Sequence, residues 1–318
     1  MSDFVLASDL GGTNTRVSAV TSDGAILASS RSRTPAKGTP EEIAGEIISL
    51  AAECCDQVGQ YEKPNAFGVA VPALINAPTG AIVYSPNLPQ LNGVRFTDLI
   101  AEKVDVPVVL ENDANAAAAG EAWLGASKGF ETSVCVTLGT GVGGGLMIGG
   151  NLWRGIDGNA GEIGHVCVVP GGVPCGCGSA GCLEQYASAS AVVRMAEEIR
   201  SEFPGSVLTE HKALTSLDVF NAAAAGDAAA LEVFRQVGAH LGTALAGLIN
   251  VLNPEAIVVG GGAAAAWDFF IDHVRSTICE KAFQRPAERA KLVRAALGDT
   301  AGILGSARLA FDARAELT

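Results

Sequence analysis

The chain opens on an apolar run, FVLASDL (residues 4–10), whose polar residues are confined to Ser8 and Asp9 near its end. That pattern predicts a strand covered on both faces. TRVSAVT (15–21) and AILASSR (25–31) flank Ser22-Asp23-Gly24, a hairpin-turn signal, so the first thirty residues read as a β-meander. A helix is predicted from Thr39, with Pro40 at its first position and Glu42 completing a capping box. Ile43, Ile47, Leu50, Ala51, Cys54 and Val58 fall on one face at helical spacing. AFGVAVPALI (66–75) and VPVVLEN (106–112) read as further strands, and ANAAAAGEAWLG (114–125) as a helix.

The middle of the chain repeats the beginning. SVCVTLGTGVGGGLMIGGN (133–151) is a strand, a Leu-Gly turn, a second strand and a Gly-Gly-Asn turn. Laid over the opening meander, Leu138-Gly139 falls on Leu10-Gly11. A long helix, AALEVFRQVGAHLGTALAGLINVL (229–252), then leads into the strand AIVVGGG (256–262). Two copies of one meander, each feeding later helices, predict two similarly built α/β domains with a ligand cleft between them. The expected boundary falls near residues 112–125. It is taken as 1–115 for the N-terminal domain and 116–301 for the C-terminal one, with a terminal helix near 302–318 packing back on the first.

Composition narrows the field. At 318 residues, nearly half of them apolar, the chain can bury two sizeable cores without staples. The formal charge of −13 argues against nucleic acid as a partner. KAFQRPAERAKLVR (281–294) carries basic residues, but Glu288 interrupts it, and it reads as a solvated helix face. The N-terminus lacks the charged and apolar regions of a signal peptide, and no stretch of about 20 apolar, non-glycine residues is present to span a membrane. A cytoplasmic location is therefore expected. The eight cysteines should be mostly reduced there, with no disulfide framework. Cys54, Cys55, Cys135 and Cys279 sit among apolar neighbours and read as core residues.

Candidate chemistry collects at the strand ends. DLGGTNTR (9–16) places small and polar residues directly after a buried strand, where backbone N–H groups can meet an anion. Asp9 adds a carboxylate that is costly to bury unless it is paired or holds a metal. GTGVGG (139–144) has the spacing of a dinucleotide fingerprint, but a strand follows it where that fingerprint requires a helix. It reads instead as a second small-residue hairpin. Gly260, Gly261 and Gly262 form a third glycine turn, suited to adenine or simply to reversing the chain. Glu111, Asn112 and Asp113 run from a strand into a helix start. Either they cap that helix, or Asn112 binds a hydroxyl whose proton Asp113 accepts, as phosphoryl transfer requires.

His165, Cys175, Cys177 and Cys182 offer one imidazole and three thiolates, a tetrahedral zinc set. Gly176, Gly178 and Gly181 allow tight folding around an ion. A nucleophilic cysteine needs no two companions, and a disulfide would strand an odd thiol. With every position filled by protein the zinc is structural. Cys167 lies in an apolar stretch and reads as core. Glu162 and Glu184 flank the loop as acceptors suited to sugar hydroxyls.

Together, DLGGTNTR, ENDANAAAAGE, LGTGVGGG, GEIGH and CGCGSAGCLE resemble the ROK family (repressors, open reading frames, kinases) over almost the whole chain. The resemblance implies two duplicated domains of the actin-like, hexokinase-like ATPase fold, and an ATP-dependent sugar kinase. It implies that Asp9, Gly11, Gly12, Thr13 and Asn14 meet phosphates and Mg²⁺, that Thr140 and Gly141 meet phosphates, and that Gly260–Gly262 meet the adenosine end. By the same resemblance Asn112, Asp113, Glu162, His165 and Glu184 contact the sugar, with Asp113 as general base. His165 would also ligate structural Zn²⁺. Glucose heads the expected acceptors, followed by N-acetylmannosamine, N-acetylglucosamine or fructose, and the expected assembly is a homodimer or homotetramer. Ala73 stands where the family often has glycine, and PNLPQLNGV (86–94) has no aromatic residue; both bear on which hexose fits. The family's repressors carry a DNA-binding region ahead of the first strand, where this sequence has only Met1 to Asp3.

Overall fold

The computed structural model describes residues 3–59, 63–76 and 79–317, and side chains through residue 315. Its strands are β1 (Phe4–Leu10), β2 (Asn14–Thr21), β3 (Ile26–Arg33), β4 (Phe67–Val71), β5 (Leu74–Asn76), β6 (Ala81–Tyr84), β7 (Val108–Asn112), β8 (Ser133–Leu138), β9 (Val142–Ile148), β10 (Asn151–Leu152), β11 (Ala256–Gly260) and β12 (Lys291–Arg294). The α-helices are α1 (Pro40–Val58), α2 (Phe96–Ala101), α3 (Asp113–Leu124), α4 (Glu184–Ala187), α5 (Ala189–Ile199), α6 (Ser216–Ala224), α7 (Ala228–Leu252), α8 (Trp267–Lys281), α9 (Gln284–Arg289) and α10 (Ala301–Leu317).

The duplicated meander is present. One five-stranded sheet has the order β3-β2-β1-β4-β7 and the other β10-β9-β8-β11-β12. In each, a meander is followed by strands added in parallel beside its first member. The capping box at Thr39 and Glu42 is made in both directions. Two expectations fail locally. The run 66–75 breaks at Pro72, which has no N–H to continue the ladder, so β4 ends at Val71 and β5 pairs instead with β6. The basic stretch 281–294 is not one helix face: it ends α8, forms the short α9 and finishes as β12.

Tertiary packing groups the chain into two units. The first comprises residues 1–131, 145–161 and 296–318; the second comprises 132–144 and 162–295. A division between 115 and 116 would cut α3, which instead stays whole within the first unit together with α10. Residues 145–161 also belong there, because Gly145 lies against Ala118 of α3 too closely for any side chain.

In the first unit β1 serves two cores. Phe4, Leu6 and Leu10 join Ile43, Ile47 and Leu50 of α1. Val5 and Ala7 join Ile303, Leu304, Ala307 and Ala310 of α10. This alternation explains the nearly unbroken apolar run, and it turns Asp9 toward α10. Helices α3 and α10 cross at Gly305, where an added Cβ would lie 1.6 Å from the Ala116 carbonyl oxygen. Helix propensity alone favours alanine over glycine by roughly 1 kcal/mol. Here Gly305→Ala should instead destabilise by about 2 kcal/mol or more through overpacking. Urea unfolding measures the sign, and a gain in stability would refute this crossing. In the second unit α7 packs along α8, while α4, α5 and α6 pack against α7.

Candidate active site and metal-binding cluster

In the first unit the β1–β2 turn is held from behind. Gly11 N–H donates to the Asn14 carbonyl (2.9 Å), Thr34 Oγ1 donates to the Gly11 carbonyl (2.7 Å), and Thr34 N–H donates to the Thr13 carbonyl (3.0 Å). Among the described residues the N–H groups of Gly12 and Thr13 have no protein acceptor. Such a turn suits a phosphate. Asp9 lies beside it, close to Gly302 in the first turn of α10. Burial pushes its carboxyl above the ordinary range; Arg16 opposes the shift and Asp299 adds to it. A bound divalent cation would offset that cost, so the residue fits a Mg²⁺ contact. Asn87, which sequence reasoning did not single out, packs against Gly12 from the loop after β6.

At the end of β7, Asn112 is the N-cap of α3. Its Oδ1 accepts from the N–H groups of Ala114 (2.9 Å) and Asn115 (3.1 Å), and its Nδ2 donates to the Ala73 carbonyl (3.2 Å). Capping is therefore real, and Asn112 performs it. Its amide still has a second N–H to offer a ligand. Asp113 is exposed at the first position of α3, and its Oδ1 accepts from Ala114 N–H (2.9 Å). Ala73 thus enters the site through its carbonyl, which aims the Asn112 amide.

In the second unit the β8–β9 turn repeats the first. Gly139 N–H donates to the Gly141 carbonyl (2.9 Å), Ala189 N–H donates to the Gly139 carbonyl (2.8 Å), and Ser190 Oγ donates to the Thr140 carbonyl (3.0 Å). The N–H groups of Thr140 and Gly141 have no acceptor among the described residues. Glu184 Oε2 accepts from Val142 N–H (3.1 Å), so this carboxylate braces the turn from α4. Gly261, with φ +85°, lies against the backbone of Leu138 at the end of β8, which brings the third glycine turn beside the second.

Glu162 and His165 flank a short 3₁₀ turn (Ile163–His165). His165 Nε2 lies 3.7 Å from Glu162 Oε2, and its Nδ1 lies 3.7 Å from Cys175 Sγ. One face of the ring meets thiols and the other a carboxylate. Burial raises the Glu162 carboxyl above its usual range, with His165 opposing and neighbouring Glu184 adding. The structure therefore brings Glu162, His165 and Glu184 together.

Ligand atoms of His165, Cys175, Cys177 and Cys182 all lie within 4.8 Å of one another. Cys177 Sγ and Cys182 Sγ are 3.7 Å apart; ligands about 2.3 Å from a tetrahedral ion have edges of roughly 3.7 Å. Gly181, with φ +77°, makes the loop possible: a Cβ there would lie 1.8 Å from the Val169 carbonyl oxygen. Burial pushes the Cys182 thiol up to about 12, whereas a backbone hydrogen bond at Ser179 lowers that of exposed Cys177. A cation bound among them would offset the cost of three neighbouring thiolates, and the donor set fits zinc. Cys167 is a correction: it is exposed and outside the cluster, because its apolar stretch is a loop making one bridge, to Cys182. Cys279 is also exposed and Cys55 only half-buried, while Cys54 and Cys135 are buried as expected.

A cavity of about 780 Å³ lies within the first unit. Glu111 and Arg154 line it, and the candidate residues Asp9 and Asp113 do not. Arg154 gave no signal in the sequence: its partner Glu111 is 43 residues away.

Two sheets of matching strand order, two phosphate-type turns and a carboxylate at a strand end define an actin-like α/β fold of the sugar-kinase class. The chain belongs to the ROK family, whose model matches residues 5–313. It is 38% identical to a glucokinase of Halalkalibacterium halodurans, over 96% of this chain and 94% of that one. Among solved structures it resembles a ROK family glucokinase from Streptomyces griseus in complex with glucose and AMPPNP (TM-score 0.81, 34% identity, 97% and 99% of the two chains). It also resembles a ROK family transcriptional regulator, a homologue of the E. coli MLC protein (TM-score 0.88, 26% identity), covering 99% of this chain and 79% of that one. Among the described residues no helix is long and apolar enough to cross a membrane.

Proposed function

We propose that the chain transfers the γ-phosphate of ATP to a hydroxyl of glucose, giving glucose 6-phosphate and ADP. The observation that carries the reading is the pair at the end of β7: Asn112 is locked as a cap with an amide hydrogen to spare, and Asp113 stands exposed beside it. The near-full-length likeness to glucokinases supports the same choice of reaction and sugar.

In this reading Asp113 takes the proton of the attacking hydroxyl as its oxygen bonds to the γ-phosphorus and the bond to ADP breaks. Asn112 orients that hydroxyl. Glu162 and the Nε2 side of His165 hold other sugar hydroxyls, and Glu184 joins them while bracing the turn at Gly141. The N–H groups of Gly12, Thr13, Thr140 and Gly141 bind phosphate oxygens, Asn14 borders the first of these turns, and Gly260–Gly262 border the adenosine. Asp9 holds Mg²⁺, which supplies compensation for phosphate charge. His165, Cys175, Cys177 and Cys182 hold a structural zinc ion that fixes the His165 ring.

The substrate is tested by ADP release with glucose, N-acetylmannosamine, N-acetylglucosamine and fructose. Glucose should give the highest kcat/KM by at least tenfold. N-acetylmannosamine ahead of glucose would transfer the reading to a hexosamine kinase.

A further inference from the structure

Glu111, the residue before the Asn112–Asp113 pair, is a carboxylate only 5% exposed. Burying such a group costs several kcal/mol unless its oxygens are well satisfied. Its Oε1 accepts from the backbone N–H of Asn112 (3.0 Å) and from Nδ2 of Asn115 (3.0 Å), itself buried in the first turn of α3. Its Oε2 accepts from Arg154 Nε at 2.6 Å. One oxygen thus ties the end of β7 to the start of α3, across the bond at which Asp113 leaves the strand. The other oxygen is held by a guanidinium, which fixes the rotation of the carboxylate and offsets a second negative charge close to Asp113.

Arg154 is anchored in turn. Its carbonyl accepts from Ala160 N–H (3.0 Å), closing the loop that follows β10. Its side chain is 40% exposed and lines the 780 Å³ cavity beside Leu110, Trp123 and Met147. All these residues lie within the first unit.

We infer that Arg154 is a positioning residue for phosphoryl transfer, acting through Glu111 to set the geometry of Asn112 and Asp113. The role rests on the kinase reading above. It predicts a loss in turnover rather than in nucleotide binding, because the hydrogen bonds of Glu111 and Arg154 run to Asn112, Asn115 and Ala160 and none joins them to the Gly11–Asn14 turn among the described residues.

The test is steady-state kinetics of Arg154→Ala at saturating glucose and ATP, with and without guanidinium at low millimolar concentration. The cavity gives this small planar cation a route to Glu111. The expected result is a kcat at least tenfold lower, KM for ATP within twofold of wild type, and at least threefold recovery with guanidinium. That recovery should vanish in Arg154→Ala combined with Glu111→Gln. A kcat within twofold of wild type overturns the role, as does a loss that guanidinium leaves untouched. If Arg154→Ala fails to fold, Arg154→Lys reads the same quantity: a threefold or greater fall in kcat supports the role and a wild-type kcat overturns it. A wild-type protein inactive on every hexose sinks the kinase reading and this role together; an active wild type beside an unimpaired Arg154→Ala sinks this role alone.

Discussion

Asp113→Asn is expected to lower kcat for glucose by roughly a thousandfold, within the usual range for loss of a general base. The substitution keeps the oxygen that accepts from Ala114 N–H, so α3 should start as before. Stability should change by less than about 1 kcal/mol, the cost of removing one charge from a helix N-terminus. Glucose affinity, measured by calorimetry, should stay within a few-fold, since Asn112 and the Glu162–His165 group are untouched. Turnover above a tenth of wild type would remove Asp113 from its assigned role.

The second large effect concerns the metal. Cys177→Ser should reduce bound zinc from about one per chain to a small fraction, because the remaining three ligands leave the site open. The KM for glucose should rise tenfold or more while that for ATP changes little. The reason is geometric: the His165 ring meets Cys175 through Nδ1 and Glu162 through Nε2, so freeing the first face unfixes the second. Elemental analysis and sugar kinetics on the same preparation check both halves. Wild-type zinc content in the variant would mean that the ligand set is wrong.

Much of this architecture was legible from local pattern. The two meanders announce themselves because apolar strand runs are separated by turn residues that admit few alternatives. The Thr39–Glu42 capping box and the apolar face of α1 were readable for the same reason. The division into units was not. Residues 145–161 join the first unit through contacts such as Gly145 on Ala118, which no local pattern encodes.

The candidate site divides the same way. Asp9, Asn112 and Asp113 stand out as polar residues at or just after the ends of apolar strands, and for Asp9 burial makes the position expensive. The thiol cluster stands out by spacing. Arg154 does not, since a lone arginine after a short strand looks like any surface cation until its contact with Glu111 is seen. Cys167 misleads in the opposite direction: Val166, Val168 and Val169 imitate a buried strand, yet the segment is a partly exposed loop beside the His–Cys cluster.

On the proposed reading this chain moves a phosphoryl group from ATP to glucose. The most direct measurement is phosphorus NMR of a reaction containing ATP, Mg²⁺, glucose and enzyme at substrate-level concentration. Resonances of glucose 6-phosphate and ADP should grow in equal amounts, and neither should grow without glucose. Glucose recovered unmodified beside intact ATP would mean that the chain is not a glucose kinase.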